Sequence, residues 1–196
     1  MNWTRLGRSE TCPAGIARYL ELGDRLYIWV DGTRNRREWR ENFQPLKQAL
    51  SPGTRARANV KDYLQAVSVF FKLSHLVAAD TRVWIGGYSR GYAIALILAW
   101  LMRRYAKSVT VIGFAGKRCG NRAFHTELDR LGIGHGSMAY RWDIVPWLPP
   151  HYARGPQSWL RAAYGPIAAH MEAARLAAGW RHELTTADRG MVGDGI

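Results

Sequence analysis

The chain has 196 residues, of which 47% are hydrophobic and 22% charged, and its formal net charge is +13. This length fits one domain with a sizeable core, and the composition is not that of a disordered chain. The basic surplus fits an anionic partner, such as a membrane surface or an acidic substrate, and fits equally a solvated basic surface without such a partner. No nucleic-acid-binding motif is present, so nucleic acid is not an expected partner. The sequence does not indicate an oligomeric state.

The two cysteines, Cys12 and Cys119, lack metal-ligand spacing, so neither a zinc site nor another metal is expected. Whether the two pair is left open, with reduced thiols favoured. Residues 1–23 contain no apolar run of signal-peptide length, and the most apolar stretch, 92–102, is far shorter than a membrane span. A cytoplasmic location is therefore the default expectation.

Hydrophobic periodicity and turn residues divide the chain into alternating strands and helices. In chain order they predict a strand at 25–30, a helix at 34–50, a turn at 51–53, a helix at 56–76, a strand at 82–85, a helix at 91–105, a strand at 109–114, a helix at 121–131, a strand at 137–141, a loop at 146–156 and a helix at 159–180. In the helix at 56–76 the apolar stripe is Val60, Tyr63, Leu64 and Val67. This order predicts one α/β domain over 1–196, with a mostly parallel central sheet and helices on both faces.

The segment Gly87-Tyr88-Ser89-Arg90-Gly91 fits the pattern G-x-S-x-G between a predicted strand and a predicted helix. A nucleophile elbow requires this setting, because a serine at a sharp turn leaves no room for side chains two residues before and after it. The helix N-terminus also directs N–H groups and a positive dipole end toward developing negative charge. The alternative interpretation is a glycine-rich turn with an N-cap serine.

A serine nucleophile needs a base, and the base needs an acid that orients it. In this kind of fold the acid and then the histidine follow the serine along the chain. Asp143 lies where a predicted strand ends, although an N-cap or turn role is also open. Three later histidines remain candidates for the base: His151, His170 and His182.

Three segments carry a family resemblance. Residues 111–124 are similar to the pattern T-F-G-x-P-R-V-G-N-x-x-F, residues 143–150 to D-I-V-P-x-L-P-P, and Trp29-Val30-Asp31-Gly32-Thr33 to a strand ending in F-R-G-T. In this order they resemble the fungal-type (class 3) lipases, which are α/β-hydrolases, over about residues 25–150. The chain departs from the family at Arg90, which adds a charge beside the oxyanion hole, and at Tyr92, where a small residue is usual. Asp31 replaces an arginine, the proline near Lys117 is missing, and the H-x-G-F motif upstream of the elbow is not recognisable.

The resemblance implies Ser89 as nucleophile, Asp143 as triad acid and His170 as base, with His182 and His151 as less favoured alternatives. It implies an oxyanion hole formed by the backbone N–H groups of Thr33 and Arg90, with the Thr33 hydroxyl left open as a further donor. The implied activity is hydrolysis of carboxylic esters of lipid type through an acyl-enzyme intermediate, without metal or organic cofactor. The alternatives are an inactive hydrolase scaffold or a non-enzymatic basic module that binds nucleic acid or an anionic membrane.

The family also places a mobile lid after the oxyanion turn, which corresponds here to residues 34–46. Trp39 and Phe43 are expected to cover an acyl pocket while the arginines around them face water or anionic lipid head groups. The alternative is a surface helix in which Trp39 and Phe43 are core anchors.

Overall fold

The structure, a computed structural model, describes residues 4–5, 17–33, 47–139 and 145. Eight strands lie within these residues: β1 Thr4–Arg5, β2 Ala17–Leu22, β3 Arg25–Val30, β4 Lys47–Ala49, β5 Arg57–Asn59, β6 Arg82–Tyr88, β7 Ser108–Phe114 and β8 Gly134–Met138. The α-helices of the same residues are α1 Val60–Leu73, α2 Arg90–Met102 and α3 Arg122–Arg130.

The main sheet has the strand order β1-β2-β3-β6-β7-β8. The pairs β3–β6, β6–β7 and β7–β8 are parallel, whereas β1 and β2 extend the sheet in antiparallel fashion. The register pairs Val30 with Gly87, Tyr88 with Phe114, and Phe114 with Met138. The parallel strands therefore end at one edge of the sheet, where open α/β sheets place their binding sites.

Side chains alternate between the two faces of the sheet, as strand geometry requires. One face contributes Leu26, Ile28, Val83, Ile85 and Val111 to the main core, which also contains buried apolar residues of all three helices. The other face carries a second cluster in which Trp29 and Phe114 are buried against Tyr88 and Ile112. Helix α2 is buried along almost its whole length, because nearly all of its residues are apolar.

The fold class expected from the sequence is confirmed, while several predicted boundaries are wrong. Residues 47–49 form a strand rather than the end of a helix, and pair with residues 57–59 across the predicted turn at 51–53. The following helix consequently begins at Val60, where the Asn59 side chain accepts hydrogen bonds from the Lys61 and Asp62 N–H groups. The last predicted strand lies three residues earlier, at 134–138, and strand β2 was not predicted.

The buried face of α1 also differs from the prediction. Asp62, Ala66, Val69 and Leu73 are buried, whereas Leu64 of the predicted stripe is 45% exposed. The apolar pattern indicated the wrong face because it counts a carboxylate as a solvent-facing group. Here that carboxylate is buried with two cationic partners, which are described below.

Several predictions concern residues outside the described part of the chain: the lid at 34–46, the loop at 146–156 and the helix at 159–180. The single-domain prediction for residues 1–196 is likewise not tested. Within the described residues, no helix combines the length and apolar character needed to cross a membrane.

Candidate functional site

Ser89 lies in the turn between β6 and α2, at the edge where the parallel strands end. Its backbone has φ 55° and ψ −121°, and residues other than glycine rarely adopt a positive φ of this kind. Such strain costs roughly 1–3 kcal/mol and persists only where neighbouring structure imposes it. The Ser89 side chain makes no capping bond to α2, which argues against the interpretation as an N-cap serine.

Backbone hydrogen bonds hold Ser89 in this conformation. Its N–H donates to the carbonyl oxygen of Phe114 at 2.9 Å, so the turn is fixed to the end of β7. Its carbonyl oxygen accepts from the N–H groups of Lys117 at 3.1 Å and Tyr92 at 3.2 Å. Both polar backbone groups of the residue are thus engaged, and the strain is supported from two neighbouring segments.

The glycines of the elbow allow a close approach of three backbone segments. A Cβ atom on Gly87 would lie 2.6 Å from the backbone of Gly91 and Tyr92. A Cβ atom on Gly91 would collide with the carbonyl oxygen of Val30 and lie 2.8 Å from that of Asp31. The G-x-S-x-G spacing therefore has the steric cause that the sequence suggested.

The loop after β3 runs beside this turn. A Cβ atom on Gly32 would lie only 3.3 Å from the Cβ atom of Ser89, and Thr33 is the next residue along the chain. Asp31 is fixed by a hydrogen bond from the indole N–H of Trp29 at 3.1 Å and by an ion pair with Arg18 at 3.7 Å. Thr33 therefore directly follows a residue, Gly32, that lies beside Ser89.

The side chain of Arg90 extends into the protein interior. Its Nε donates to Oδ1 of Asp62 at 2.8 Å, and Oδ2 of the same carboxylate lies 2.7 Å from Nζ of Lys117. The side chains of Arg90, Asp62 and Lys117 are 3%, 0% and 1% exposed, respectively. The charge that the sequence placed beside the oxyanion hole is therefore paired within the core.

Sequence reasoning missed both Asp62 and Lys117. Asp62 lies in a helical stretch whose polar residues were assigned to the surface, and Lys117 was noted only because it stands near a missing proline. A signal existed, since an arginine in the middle of an apolar elbow needs a buried anion. The identity of that anion depended on the packing of α1 against α2.

Tyr92, the other departure near the elbow, packs against β7 and the loop after it. A Cβ atom on Gly113 would lie 2.6 Å from Cγ of the tyrosine ring, and one on Gly116 would lie 2.8 Å from it. Ala115, between these two glycines, has φ 52°. The large side chain at position 92 is thus accommodated by small residues at the positions that face it.

The remaining predicted site residues lie outside the described part of the chain: Asp143, the histidines His151, His170 and His182, and the lid residues Trp39 and Phe43. Val145, two positions after Asp143, is described and is buried. Among the described residues, no group of three His, Cys, Asp or Glu side chains is arranged to hold a metal ion.

A strained serine between a parallel strand and a buried helix defines an α/β-hydrolase fold. The family model described as lipase (class 3) matches residues 27–153. This match covers more than half of the chain, and the chain belongs to the class 3 lipase family.

Individual relatives agree with this assignment. The chain is 42% identical over 72 residues to "Phospholipase A1 EG1, chloroplastic/mitochondrial" from Oryza sativa subsp. indica. The aligned segment covers 32% of this chain and 17% of that protein. The triacylglyceride lipase of Rhizomucor miehei superposes with a TM-score of 0.58 at 20% identity, covering 76% of this chain and 61% of the lipase. A lipase from Rhizopus microsporus var. chinensis gives a TM-score of 0.54 at 24% identity, covering 69% of this chain and 52% of that one. At these identities the structural likeness establishes the fold.

The chain is shorter than the relatives it matches. It spans 61% of the Rhizomucor lipase, 52% of the Rhizopus lipase and 17% of the rice phospholipase.

Proposed function

We propose that this chain is a serine carboxylic-ester hydrolase that acts on lipid-like esters through an acyl-enzyme intermediate. The observation that carries the proposal is the strained backbone of Ser89 at the carboxyl edge of the parallel sheet, with φ 55° and ψ −121°. Membership of the class 3 lipase family supports it. A structural neighbour with 20% identity and a TM-score of 0.54 is a triacylglycerol lipase whose catalytic centre is formed by a serine protease triad.

In this proposal Ser89 attacks the ester carbonyl carbon while His170 takes the hydroxyl proton. Asp143 orients the imidazole and stabilises its charged form. The backbone N–H groups of Thr33 and Arg90 donate hydrogen bonds to the carbonyl oxygen as it becomes negative. The C–O bond to the alcohol then breaks and the imidazolium returns the proton to the alcohol. Water attacks the acyl-enzyme by the same route, which releases the acid and restores the serine.

The first test compares wild type with Ser89→Ala on p-nitrophenyl acyl esters of graded chain length. We expect Ser89→Ala to lower kcat by at least about a thousandfold, because loss of the nucleophile alone removes most of the rate enhancement that a triad provides. Ser108→Ala, at an exposed serine where β7 begins, is the matched control and is expected to leave turnover unchanged. A fluorophosphonate probe is expected to add one label to Ser89, which peptide mass spectrometry locates.

Two results would contradict this proposal. One is a wild-type chain that neither turns over any ester nor accepts the probe, as expected of an inactive scaffold. The other is a probe adduct at a residue other than Ser89. Salt-dependent DNA binding without turnover would instead favour the basic binding module.

The same assay identifies the base. His170→Ala is expected to abolish turnover, while His182→Ala and His151→Ala are expected to retain it. Loss confined to His182→Ala would transfer the role of base to that residue.

The lipid character of the substrate is tested through the proposed lid at 34–46. Trp39→Ala is expected to reduce cleavage of long-chain or aggregated esters more than cleavage of short soluble esters, because only the former need an apolar cover. Equal losses on both would remove the lid from the proposal. Since one relative is a phospholipase and another a triacylglyceride lipase, both lipid classes belong in the substrate panel.

A further inference from the structure

The ionic cluster of Asp62, Arg90 and Lys117 connects three separate parts of the fold. Asp62 lies in the first turn of α1, Arg90 is the first residue of α2, and Lys117 follows β7. Each carboxylate oxygen of Asp62 contacts a different cation, with Nε of Arg90 at 2.8 Å and Nζ of Lys117 at 2.7 Å. All three side chains are at least 97% buried, so solvent screens these contacts only weakly.

Burying three charges is costly, and apolar residues of similar size often stabilise a core as well as an ion pair does. General stability is therefore a weak explanation for this cluster. Its location suggests a more specific role, because both cations belong to residues next to the strained turn.

Arg90 is joined to Ser89 by the peptide bond whose N–H we assign to the oxyanion hole. Lys117 donates its own backbone N–H to the carbonyl oxygen of Ser89 at 3.1 Å. The two oxygen atoms of the Asp62 carboxylate thus hold the side chains of Arg90 and Lys117. The backbone N–H of Arg90 belongs to the Ser89–Arg90 peptide, and that of Lys117 donates to the carbonyl oxygen of the same peptide. A shift of either residue would tilt that peptide.

The backbone that carries this carboxylate is also held by hydrogen bonds. The N–H of Asp62 donates to the Asn59 side chain at 3.3 Å, and the N–H of Asn59 donates to the carbonyl oxygen of Cys119 at 2.9 Å. The N-terminus of α1 is therefore tied to the same loop that carries Lys117. The start of α1 and the loop beside the Ser89 turn are therefore joined by the backbone as well as by the ionic cluster.

We propose that Asp62 is a positioning residue for ester hydrolysis: through Arg90 and Lys117 it sets the orientation of the Ser89–Arg90 peptide and hence of its oxyanion-hole N–H. This role rests on the proposed function of the site. Asp62 is buried behind the turn and acts on the backbone that surrounds the nucleophile.

The test uses Asp62→Asn, which keeps the shape of the side chain and removes its charge. The concentration of competent sites is first titrated to completion with a fluorophosphonate, and kcat and KM are then measured per titrated site on a short p-nitrophenyl ester. We expect kcat to fall about 100-fold while KM changes little, since small misplacements of catalytic groups have effects of this order. A purely structural role would lower the number of titrated sites and leave kcat per site unchanged.

The matched control is Asp24→Asn. Asp24 also pairs with an arginine, Arg82, at 3.4 Å. Arg82 is the first residue of β6, so this partly exposed pair lies at the end of the strand opposite to the Ser89 turn. Turnover of Asp24→Asn is expected to equal that of wild type. If Asp62→Asn does not fold, Lys117→Met decides the question, because it keeps the Asp62–Arg90 pair and removes the contact between Asp62 and the second cation. A loss of about tenfold in kcat per site is expected for it.

The positioning role is wrong if wild type is active and Asp62→Asn retains kcat per titrated site within about twofold. The same holds if Asp62→Asn is unfolded and Lys117→Met has wild-type kcat. A wild-type chain without turnover or probe labelling would overturn the proposed function and this role together.

Discussion

The residues of the elbow show which features a local sequence motif can predict and which depend on distant parts of the chain. The spacing Gly87-x-Ser89-x-Gly91 was sufficient to predict a sharp turn, because its cause is local: three backbone segments meet without room for a Cβ atom. Asp62 could not be predicted, because its burial depends on Arg90 and Lys117, which are distant in sequence. A hydrophobicity pattern assigns every charged residue to the surface, so it does not predict a carboxylate that is buried because cations neutralise it.

Gly91→Ala tests the steric cause of the motif. Alanine has the higher helix propensity by about 1 kcal/mol, so propensity alone predicts a gain at this position in α2. The collision of the new Cβ atom with the Val30 carbonyl oxygen is expected to outweigh this gain, since overpacking a rigid interior typically costs 1–3 kcal/mol. Because the new Cβ atom would meet backbone atoms, the upper part of that range applies, and we expect a net loss of up to about 2 kcal/mol in the free energy of unfolding, measured by urea denaturation.

Gly136→Ala is the control for that measurement. Gly136 lies in strand β8, and an added Cβ atom there would meet nothing within 4 Å. Alanine in a strand loses less conformational entropy than glycine, so this variant is expected to be neutral or slightly more stable. Equal stability of the Gly91→Ala and Gly136→Ala proteins would show that the elbow can move aside.

Among the elements, those with a buried apolar face were the ones the sequence predicted well. Strand β3 was predicted with its observed bounds, and β7 and α2 within a few residues, because their apolar runs are continuous. Strand β2 was missed because Ala-Arg-Tyr-Leu-Glu-Leu mixes charged and apolar residues and is mostly half-buried. The β4–β5 hairpin was hidden for a similar reason, since three-residue strands are too short to show a period.

The contact between α2 and the loop after β7 makes the second prediction at this scale. Tyr92 fills the space that side chains at 113 and 116 would need, so Gly116→Ala is expected to destabilise the protein by roughly 1–3 kcal/mol. In a Tyr92→Ala background the ring is gone, and the same change is expected to cost much less. A double-mutant cycle from urea denaturation should therefore give a coupling energy between about 0.5 and 3 kcal/mol.

Additive effects in this cycle would mean that Tyr92 and Gly116 do not constrain each other. In that case the tyrosine in the elbow would be an independent substitution. Coupling would instead show that the large residue at position 92 depends on a small residue at position 116. A paired change of this kind explains how a large residue fits where the family usually has a small one.

At the scale of the whole molecule, the buried ionisable groups predict how stability changes in alkaline solution. Burial raises the pKa of the Cys119 thiol well above its ordinary value, with a further contribution from the nearby Asp62 charge that Lys117 partly offsets. Burial also raises the pKa of the Tyr92 hydroxyl. Cys119 is a free thiol. Both groups keep their protons in the native protein at pH values where the unfolded chain loses them.

The sign of the effect follows from proton binding. Below about pH 8.5, the ordinary cysteine pKa, native and unfolded chains both hold the thiol proton, and the contribution to stability is complete. Above it the unfolded chain binds fewer protons than the native protein, so the free energy of unfolding falls as pH rises, by at most about 1.4 kcal/mol per pH unit for one group. Urea denaturation of wild type and Cys119→Ala between pH 8 and 10.5 is expected to give a steeper fall for wild type. Because the substitution also leaves a cavity, the slopes are compared and the absolute stabilities are not. Parallel curves would mean that the thiol ionises as readily in the native core as in the unfolded chain, and that water reaches the interior behind the Ser89 turn.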